Sequence, residues 1–213
     1  MSSSSLAGMT AHIINGKRGG STNEDRWSYA LGQCNSLGLK ECKRSPAVFT
    51  SDQVYQDTCG VFPDADSEER FARGCMFAHR VAMETVRDEG KRAVIFEDDI
   101  HVPEDKPRAI ELINRSLADT EDRDVVYLGH CFDTWCAHAY VWTPSGAAKA
   151  LDNVDWCGGV PIDVQLSDLC SAGTLKCEYL QDDGEHGSDH EVDPHTAGFV
   201  RQLTDTTRGT FEA

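Results

Sequence analysis

The sequence lacks both a long apolar run and an excess of basic residues. No stretch of its 213 residues is apolar over the roughly 20 positions that a membrane-spanning helix needs, so no membrane span is predicted. It has 20 Lys and Arg against 36 Asp and Glu, which gives a formal charge of −16. A chain this acidic offers no basic face to a nucleic acid or an anionic membrane, and neither is expected as a partner.

Signals that mark several other protein classes are also missing. None of the nine cysteines forms a C-x-x-C pair, G-x-G-x-x-G is absent, and there is no internal repeat. Zinc ribbons, thioredoxin-like sites and Rossmann sites are therefore disfavoured. Residues 1–9 lack the basic region and apolar run of a secretory signal. We therefore expect a cytoplasmic, reducing location without a disulfide framework, with a single Cys131–Cys136 bridge as the alternative.

What is present is an alternation of strand patterns and helical patterns. The length and the 39% hydrophobic content suit one fairly large domain. This alternation predicts a three-layer α/β/α domain with a mostly parallel central sheet over residues 11–200. Residues 1–10 read as a flexible N-terminus and residues 201–213 as a tail or linker. Apolar, β-branched runs predict strands at 11–15, 46–50, 93–97, 124–129, 137–142 and 175–180.

The stretch Ala93–Ile100 begins as an apolar run that predicts a buried strand, and the three consecutive acids Glu97, Asp98 and Asp99 follow where this strand leaves the core. Side chains alternate along a strand, so Glu97 and Asp99 are expected on one face and Asp98 on the other. Two carboxylates on one face at the carboxyl end of a strand suit a hard divalent cation. A polar turn that merely caps the strand is the alternative.

A second acidic pair, Asp64 and Asp66, has the D-x-D spacing often associated with metal sites. Asp66 together with Glu69 also fits a capping box for the following helix, which explains these acids without a metal. We favour the capping box, and the choice between the two acidic groups as metal ligands stays open.

Three other segments carry candidate polar residues. The loop 16–20 follows the first strand, a standard ligand position in open α/β sheets, and its Arg18 could meet a diphosphate or be solvated. The polar segment 181–191 holds two histidines and could be disordered or could close over a metal. Asp163 reads from its position as a helix N-cap, and His79, beside an apolar helical stripe, as a structural histidine.

Several blocks, in order along most of the chain, resemble one known family. The chain is similar to the glycosyltransferases that include lipopolysaccharide β-galactosyltransferases and procollagen galactosyltransferases; large algal viruses encode small enzymes of this general kind. One departure is Gly16, where the family usually has leucine. The matching blocks are Ile13–Asn15, Asp25–Trp27, Gly74-Cys75 with His79, Val94–Ile100, Tyr127–Gly129, Ala139-Tyr140 with Gly146-Ala147, Pro161–Asp163 and Ser188-Asp189.

The resemblance implies a GT-A-like fold, a UDP-linked hexose donor such as UDP-glucose or UDP-galactose, Mn²⁺ or Mg²⁺, and a glycan or glycoprotein acceptor. It also implies inversion at the anomeric carbon. The residue roles that follow are metal binding by Glu97 and Asp99 with His186 or His190, nucleotide binding by Asn15, Arg18, Arg26 and Asp98, and a catalytic base at Asp163, with Asp189 in reserve.

Two other functions remain as alternatives from the sequence. The same acids would serve a metal-dependent nucleotidyltransferase or phosphohydrolase that acts on a nucleotide-sugar, in which the metal activates water or a phosphoryl centre. A non-catalytic module that binds a cation or a glycan through these carboxylates ranks third.

Overall fold

The core of the fold is a seven-stranded sheet with helices on both faces. The computed structural model describes residues 5–16, 21–62, 66–103, 105–131, 136–180, 196–198 and 201–202. Their strands are β1 (Thr10–Asn15), β2 (Glu41–Pro46), β3 (Ala93–Glu97), β4 (Ile100–His101), β5 (Val125–Cys131), β6 (Ala139–Trp142), β7 (Cys177–Tyr179), β8 (Thr196–Gly198) and β9 (Arg201–Gln202). Their helices are α1 (Ser21–Ser36), α2 (Gln53–Cys59), α3 (Ser67–Glu89), α4 (Lys106–Asp119), α5 (Pro144–Asn153) and α6 (Ile162–Ser171).

The main sheet has the order β2-β1-β3-β6-β5-β7, with β8 paired to β5. Strands β2, β1 and β3 are mutually parallel, and β7 is parallel to β5. Strand β6 lies between β3 and β5 and runs antiparallel to both. Most strands therefore share one direction, and the beginning of β6 lies at the edge of the sheet where β1 and β3 end.

The two faces of the sheet carry separate apolar layers. Successive side chains of a strand point to opposite faces, so Val94 and Phe96 pack against α1 and α4. Ala93 and Ile95 pack on the opposite face against α3, α5 and α6. Full burial of a large apolar side chain contributes about 1.5–3 kcal/mol. The three-layer α/β/α class with a mostly parallel sheet, predicted from the sequence, is confirmed.

Helix α3 begins and ends as its sequence predicts. The Asp66 side chain accepts a hydrogen bond from the Glu69 backbone N–H at 2.9 Å, which identifies it as the N-cap. Gly90 ends the helix in the left-handed conformation, with φ of 64°. In the middle of the helix, a Cβ on Gly74 would lie 2.6 Å from the Val48 carbonyl oxygen. This glycine lets α3 approach the segment that follows β2.

The predicted second strand at 46–50 is wrong. The strand is Glu41–Pro46, and Gln53–Cys59 forms the unpredicted helix α2. The strand lies at the edge of the sheet and pairs only with β1 among the described residues. Its sequence is mostly polar and only Ser45 of its six residues is buried, so it lacks the apolar signal by which a buried strand is recognised.

Described elements lie beyond both predicted ends of the domain, whose bounds stay a prediction. Residues 6–8 form a 3₁₀ turn, and Leu6 and Met9 lie fully buried in the apolar layer under α1 and α4. Burial of these two side chains fixes a segment whose serine content suggested a flexible terminus. At the other end, Arg201–Gln202 pair with Ile100–His101, beyond the predicted limit at residue 200.

The prediction of a chain without a disulfide framework is wrong. Disulfides join Cys34 to Cys42, Cys59 to Cys157 and Cys170 to Cys177, and Cys136 is also disulfide-bonded. Their Cα–Cα distances of 5.2–6.4 Å are normal for such bridges. Sequence spacing missed them because the partners meet only in the folded chain. The cytoplasmic location stays a prediction, and it is no longer supported by an expectation of reduced cysteines.

Candidate active site

The ends of β1 and β3 and the beginning of β6 open onto one cavity of about 500 Å³. Asn15 lies at the end of β1, Glu97 at the end of β3, and Ala137 and His138 just before β6. The first half of α3 and the start of α6 form further walls. Because the parallel strands end together and the reversed strand begins there, their terminal polar groups meet in one place.

Asp98 is the centre of a charged cluster on one side of this cavity. The Asn15 side-chain amide donates to Asp98 Oδ2 at 2.5 Å, and Arg26 Nη2 donates to Asp98 Oδ1. Arg26 Nη2 also lies 3.6 Å from Asp99 Oδ2. Burial raises the pKa of Asp98, while the charge of Arg26 and the hydrogen bond from Asn15 oppose that rise. The structure thus brings together three residues expected to bind the nucleotide.

Glu97 has a different environment from its two acidic neighbours. His79 Nε2 lies 3.1 Å from Glu97 Oε1, and the Tyr140 hydroxyl contacts His79 Nδ1. The Cys75 thiol lies 3.9 Å from the same carboxylate oxygen. Burial, reinforced by the surrounding carboxylates, raises the pKa of Cys75 well above its usual range. Contacts from Cys75 and His79, with Tyr140 in turn contacting His79, therefore fix the position of the Glu97 carboxylate.

The predicted alternation of the three acids is wrong. Asp98 and Asp99 both approach Arg26, whereas Glu97 turns toward α3. The reason is that β3 ends at Glu97 and residues 98–99 form a turn, so the alternation of a strand no longer applies to them. All three acids nevertheless line the cavity.

Asp163 lines the same cavity from the first turn of α6. Its Oδ2 accepts a hydrogen bond from the Cys136 backbone N–H at 3.3 Å, and its Oδ1 accepts one from Val164 at 2.9 Å. The N-cap of α6 is Pro161, so the interpretation of Asp163 as the cap is wrong. Its carboxylate fixes the segment before β6 and faces the cavity, and its predicted role as a base stays a prediction.

Several candidate residues lie outside the described part of the chain. Arg18 of the glycine-rich loop is one of them, as is Asp64 of the acidic pair whose other member, Asp66, caps α3. The late-segment residues His186, Asp189 and His190 are the others.

Sequence reasoning missed the part that Cys75 and His79 play at this site. It correctly described His79 as a buried histidine with partners for its ring, since both ring nitrogens are in contact with other groups. It did not predict that one of these partners is Glu97. The available signal was the spacing of Cys75 and His79, because residues four apart lie on one face of a helix. The rim residues Glu68, Arg70 and Phe71, on the first turns of α3, were also missed.

No family model matches the chain, and no curated protein matches it. Among the solved structures that are similar to it, two have low sequence identity to this chain. One, described as a putative nucleotide-diphospho-sugar transferase from Desulfovibrio desulfuricans G20, is 14% identical with a TM-score of 0.47, covering 81% of this chain and 79% of that one. The other, a glycosyltransferase involved in the glycosylation of the major capsid of PBCV-1, is 10% identical with a TM-score of 0.41, covering 82% and 81%. Likenesses at this level do not identify this chain's activity.

No helix in the described ranges combines the length and the apolarity that crossing a membrane would require.

Proposed function

We propose that the chain is a metal-dependent glycosyltransferase that moves a hexose from a UDP-sugar to a hydroxyl of a glycan or glycoprotein, with inversion. One observation carries the proposal: three consecutive acids at the end of β3 face a cavity that also receives Asn15 and Arg26. A cavity of about 500 Å³ is within the usual range for small-molecule sites. The family resemblance of the sequence agrees with this assignment.

The charges around the cavity support a divalent cation. Among the residues that the structure describes, two arginines, Arg26 and Arg70, line it together with five acids, which are Glu68, Glu97, Asp98, Asp99 and Asp163. A pyrophosphate would be repelled by this excess of negative charge unless a cation offset it. Carboxylate oxygens are the donors that Mg²⁺ and Mn²⁺ prefer, so the residues present fit such an ion.

Asp99 and Glu97 are the residues that would hold this cation. When bound, it would act as a Lewis acid and stabilise the charge that develops on the departing diphosphate. Asp98 has a separate role, because its contacts to Asn15 and Arg26 fix the turn after β3. Arg26, held in position by Asp98, presents its guanidinium to the cavity, where it would contact the nucleotide of the donor.

Inversion requires a base that removes the proton of the acceptor hydroxyl on the side opposite the leaving group. Asp163 is the base in this proposal, with Asp189 as the reserve. The carboxylate of Asp163 lines the cavity from α6, and its hydrogen bond from the Cys136 N–H restrains it. In this role, its oxygen takes the proton as the acceptor oxygen attacks the sugar.

A panel of nucleotide-sugars, each with and without Mn²⁺, tests the proposal by thermal unfolding. A UDP-hexose should stabilise the protein only when Mn²⁺ is present, by about 2.7 kcal/mol at a ligand concentration a hundredfold above its dissociation constant. Asp99→Asn should abolish this stabilisation, whereas Asp119→Asn, an exposed control at the end of α4, should retain it. Unchanged UDP binding by Asp99→Asn would contradict the metal assignment.

The reaction products separate the proposed class from its alternatives. Incubation with UDP-hexose and Mn²⁺ should release UDP, together with transferred or free sugar. Release of UMP and a sugar phosphate would instead identify a nucleotidyltransferase or phosphohydrolase, and binding without any turnover a non-catalytic module. Proton NMR of the glycosidic product would report whether the anomeric configuration inverts.

A further inference from the structure

Three side chains with metal-binding donors converge beside the cavity. Cys75 and His79 lie four residues apart on α3 and project from one face of the helix toward the end of β3. Cys75 Sγ, His79 Nε2 and a carboxylate oxygen of Glu97 all lie within 4.8 Å of one another. A thiol, an imidazole and a carboxylate differ from the all-oxygen set that Asp99 and Glu97 offer to a hard cation.

Two of the three separations between these donors suit a tetrahedral ion. For Zn²⁺ with bond lengths of about 2.0–2.3 Å, neighbouring donors in a tetrahedron lie about 3.3–3.6 Å apart. The His79 nitrogen and the Glu97 oxygen are 3.1 Å apart, and the Cys75 sulfur and that oxygen are 3.9 Å apart. Both separations lie within a few tenths of an ångström of the tetrahedral spacing, and the third, between the Cys75 and His79 donors, is at most 4.8 Å.

The surroundings of His79 match those of a metal-binding histidine. Such a histidine usually gives its second ring N–H to a neighbouring group, which fixes the orientation of the ring. In this protein the Tyr140 hydroxyl contacts His79 Nδ1, on the far side of the ring from Cys75 and Glu97. The ring is fully buried, with 0% of its surface exposed, so its orientation is fixed by packing as well.

The cavity supplies room for a fourth ligand. Cys75 and Glu97 both line it, so an ion held between them would have one side open to the cavity. Three protein ligands and one open position are the arrangement found in catalytic zinc sites, whereas structural zinc sites have four protein ligands.

We propose that Cys75, His79 and Glu97 form a binding site for a borderline-soft divalent cation of the Zn²⁺ type, with its fourth position open to the cavity. The proposal does not depend on the glycosyltransferase assignment. It has one consequence for that assignment, because Glu97 belongs to both donor sets. A Zn²⁺ ion at this site takes Glu97 away from the cation of the diphosphate, so Zn²⁺ and Mn²⁺ compete.

Cobalt(II) titration of the purified protein tests the site without any substrate. The protein is kept free of reducing agent so that its disulfides stay closed, since Cys75 is the free cysteine among those described. We expect one equivalent of Co²⁺ to bind with a thiolate-to-cobalt charge-transfer band in the near ultraviolet and the visible bands of tetrahedral cobalt. Co²⁺ bound through histidines and carboxylates elsewhere in the chain would lack the thiolate band and would overturn the proposal.

Variants assign the spectrum to individual donors. Cys75→Ser should remove the charge-transfer band, and His79→Gln and Glu97→Gln should each weaken Co²⁺ binding by at least about tenfold. The control is His12→Gln, which changes another buried histidine, one that faces Glu89. It should leave the titration unchanged. A band that survives Cys75→Ser would overturn the assignment.

A measurement on the unmodified protein covers the case in which a variant fails to fold. X-ray absorption at the zinc edge of the protein loaded with one equivalent of Zn²⁺ counts its sulfur ligands. One sulfur is expected, and a shell of nitrogen and oxygen alone would contradict the proposal. Since neither readout involves UDP or turnover, failure of the proposed transferase reaction leaves this test intact, and the reverse also holds.

Discussion

Two aspartates of similar burial lie at opposite ends of the strands of the central sheet and have different surroundings. We call the end where β5 begins the Asp124 edge and the end where β3 stops the Asp99 edge. Asp124, 5% exposed, precedes β5, and its Oδ2 accepts hydrogen bonds from Lys149 Nζ at 2.7 Å and from the Lys176 backbone N–H at 2.9 Å. Asp99, 6% exposed, follows β3 at the opposite edge and lines the cavity with Arg26 beside it. Burial and charge are alike, but only Asp99 faces a space that can receive a ligand.

This difference separates a structural acid from a candidate functional one. At the Asp124 edge the chain itself supplies the donors, and backbone segments approach closely: a Cβ on Gly146 would collide with the Asp124 carbonyl oxygen. At the Asp99 edge, counted over the described residues, the acids outnumber the arginines that line the cavity. The first edge is expected to contribute stability and the second to contribute binding, so substitutions at the two edges should have separable effects.

The largest expected difference between the edges lies in their disulfides. On the cavity side, Cys59–Cys157 joins the end of α2 to the loop before α6 and spans 98 positions, whereas Cys34–Cys42, between α1 and β2 at the other edge, spans 8. In the chain-entropy model, these loops correspond to about 4.7 and about 2.5 kcal/mol of stabilisation. Removal of the long-range bridge in the double variant Cys59→Ser/Cys157→Ser should therefore lower the free energy of unfolding by more than removal of the short-range bridge in Cys34→Ser/Cys42→Ser.

Denaturant unfolding without reducing agent measures both losses, with a thiol count to verify the remaining bridges. Equal losses in the two double variants would show that loop length does not govern their stability.

A smaller effect is expected from the structural aspartate. Asp124→Ala removes the acceptor of Lys149 and of the Lys176 N–H, which should lower the unfolding free energy by about 2 kcal/mol. Mn²⁺-dependent binding of the UDP-hexose should persist in this variant, in contrast to Asp99→Asn. Denaturant unfolding and ligand titration of the two variants test whether the effects on stability and on binding are separate. Loss of ligand binding by folded Asp124→Ala would show that they are not.

The smallest effect concerns the pH dependence of stability. Burial lowers the pKa of His12 in β1, with Lys43 acting in the same direction and the carboxylates Glu89 and Glu41 opposing it. A lowered folded-state pKa means that folding favours the neutral ring. Its contribution is present above the unfolded value of about 6.5 and is lost as the pH falls below it.

His12→Gln should consequently flatten the stability profile between about pH 7 and pH 5, the window set by that unfolded value. Denaturant unfolding at several pH values measures the slope. If the variant kept the wild-type slope, other titrating groups would be responsible for the pH dependence of stability.

The sequence predicted the layers of the fold and half of the site for one physical reason. Apolar runs are recognisable as buried strands, and the polar residues at the ends of parallel strands must meet at one edge. That reasoning reached the acids Glu97–Asp99, which do line a common cavity. The family resemblance added Asn15, which lines the same cavity, and Arg26, whose position in α1 carries no local signal.

The rest depended on contacts that no local pattern encodes. The turn after Glu97 ends the strand alternation and brings Asp99 to Arg26. The reversed strand β6 brings Tyr140 to His79 across 61 positions of sequence. The edge strand Glu41–Pro46 is mostly polar with only Ser45 buried, and the disulfides join residues whose spacing resembles no motif.

The reversed strand also sets an order of assembly for Glu97. Its carboxylate is backed by His79 from α3, and that ring is in turn backed by Tyr140 from β6, which pairs with β3 only after the chain has passed through α4 and β5. A growing chain that ends before residue 139 holds the acidic triplet without the support behind it. During synthesis the acidic triplet is therefore made before Tyr140, the residue that supports His79 behind Glu97.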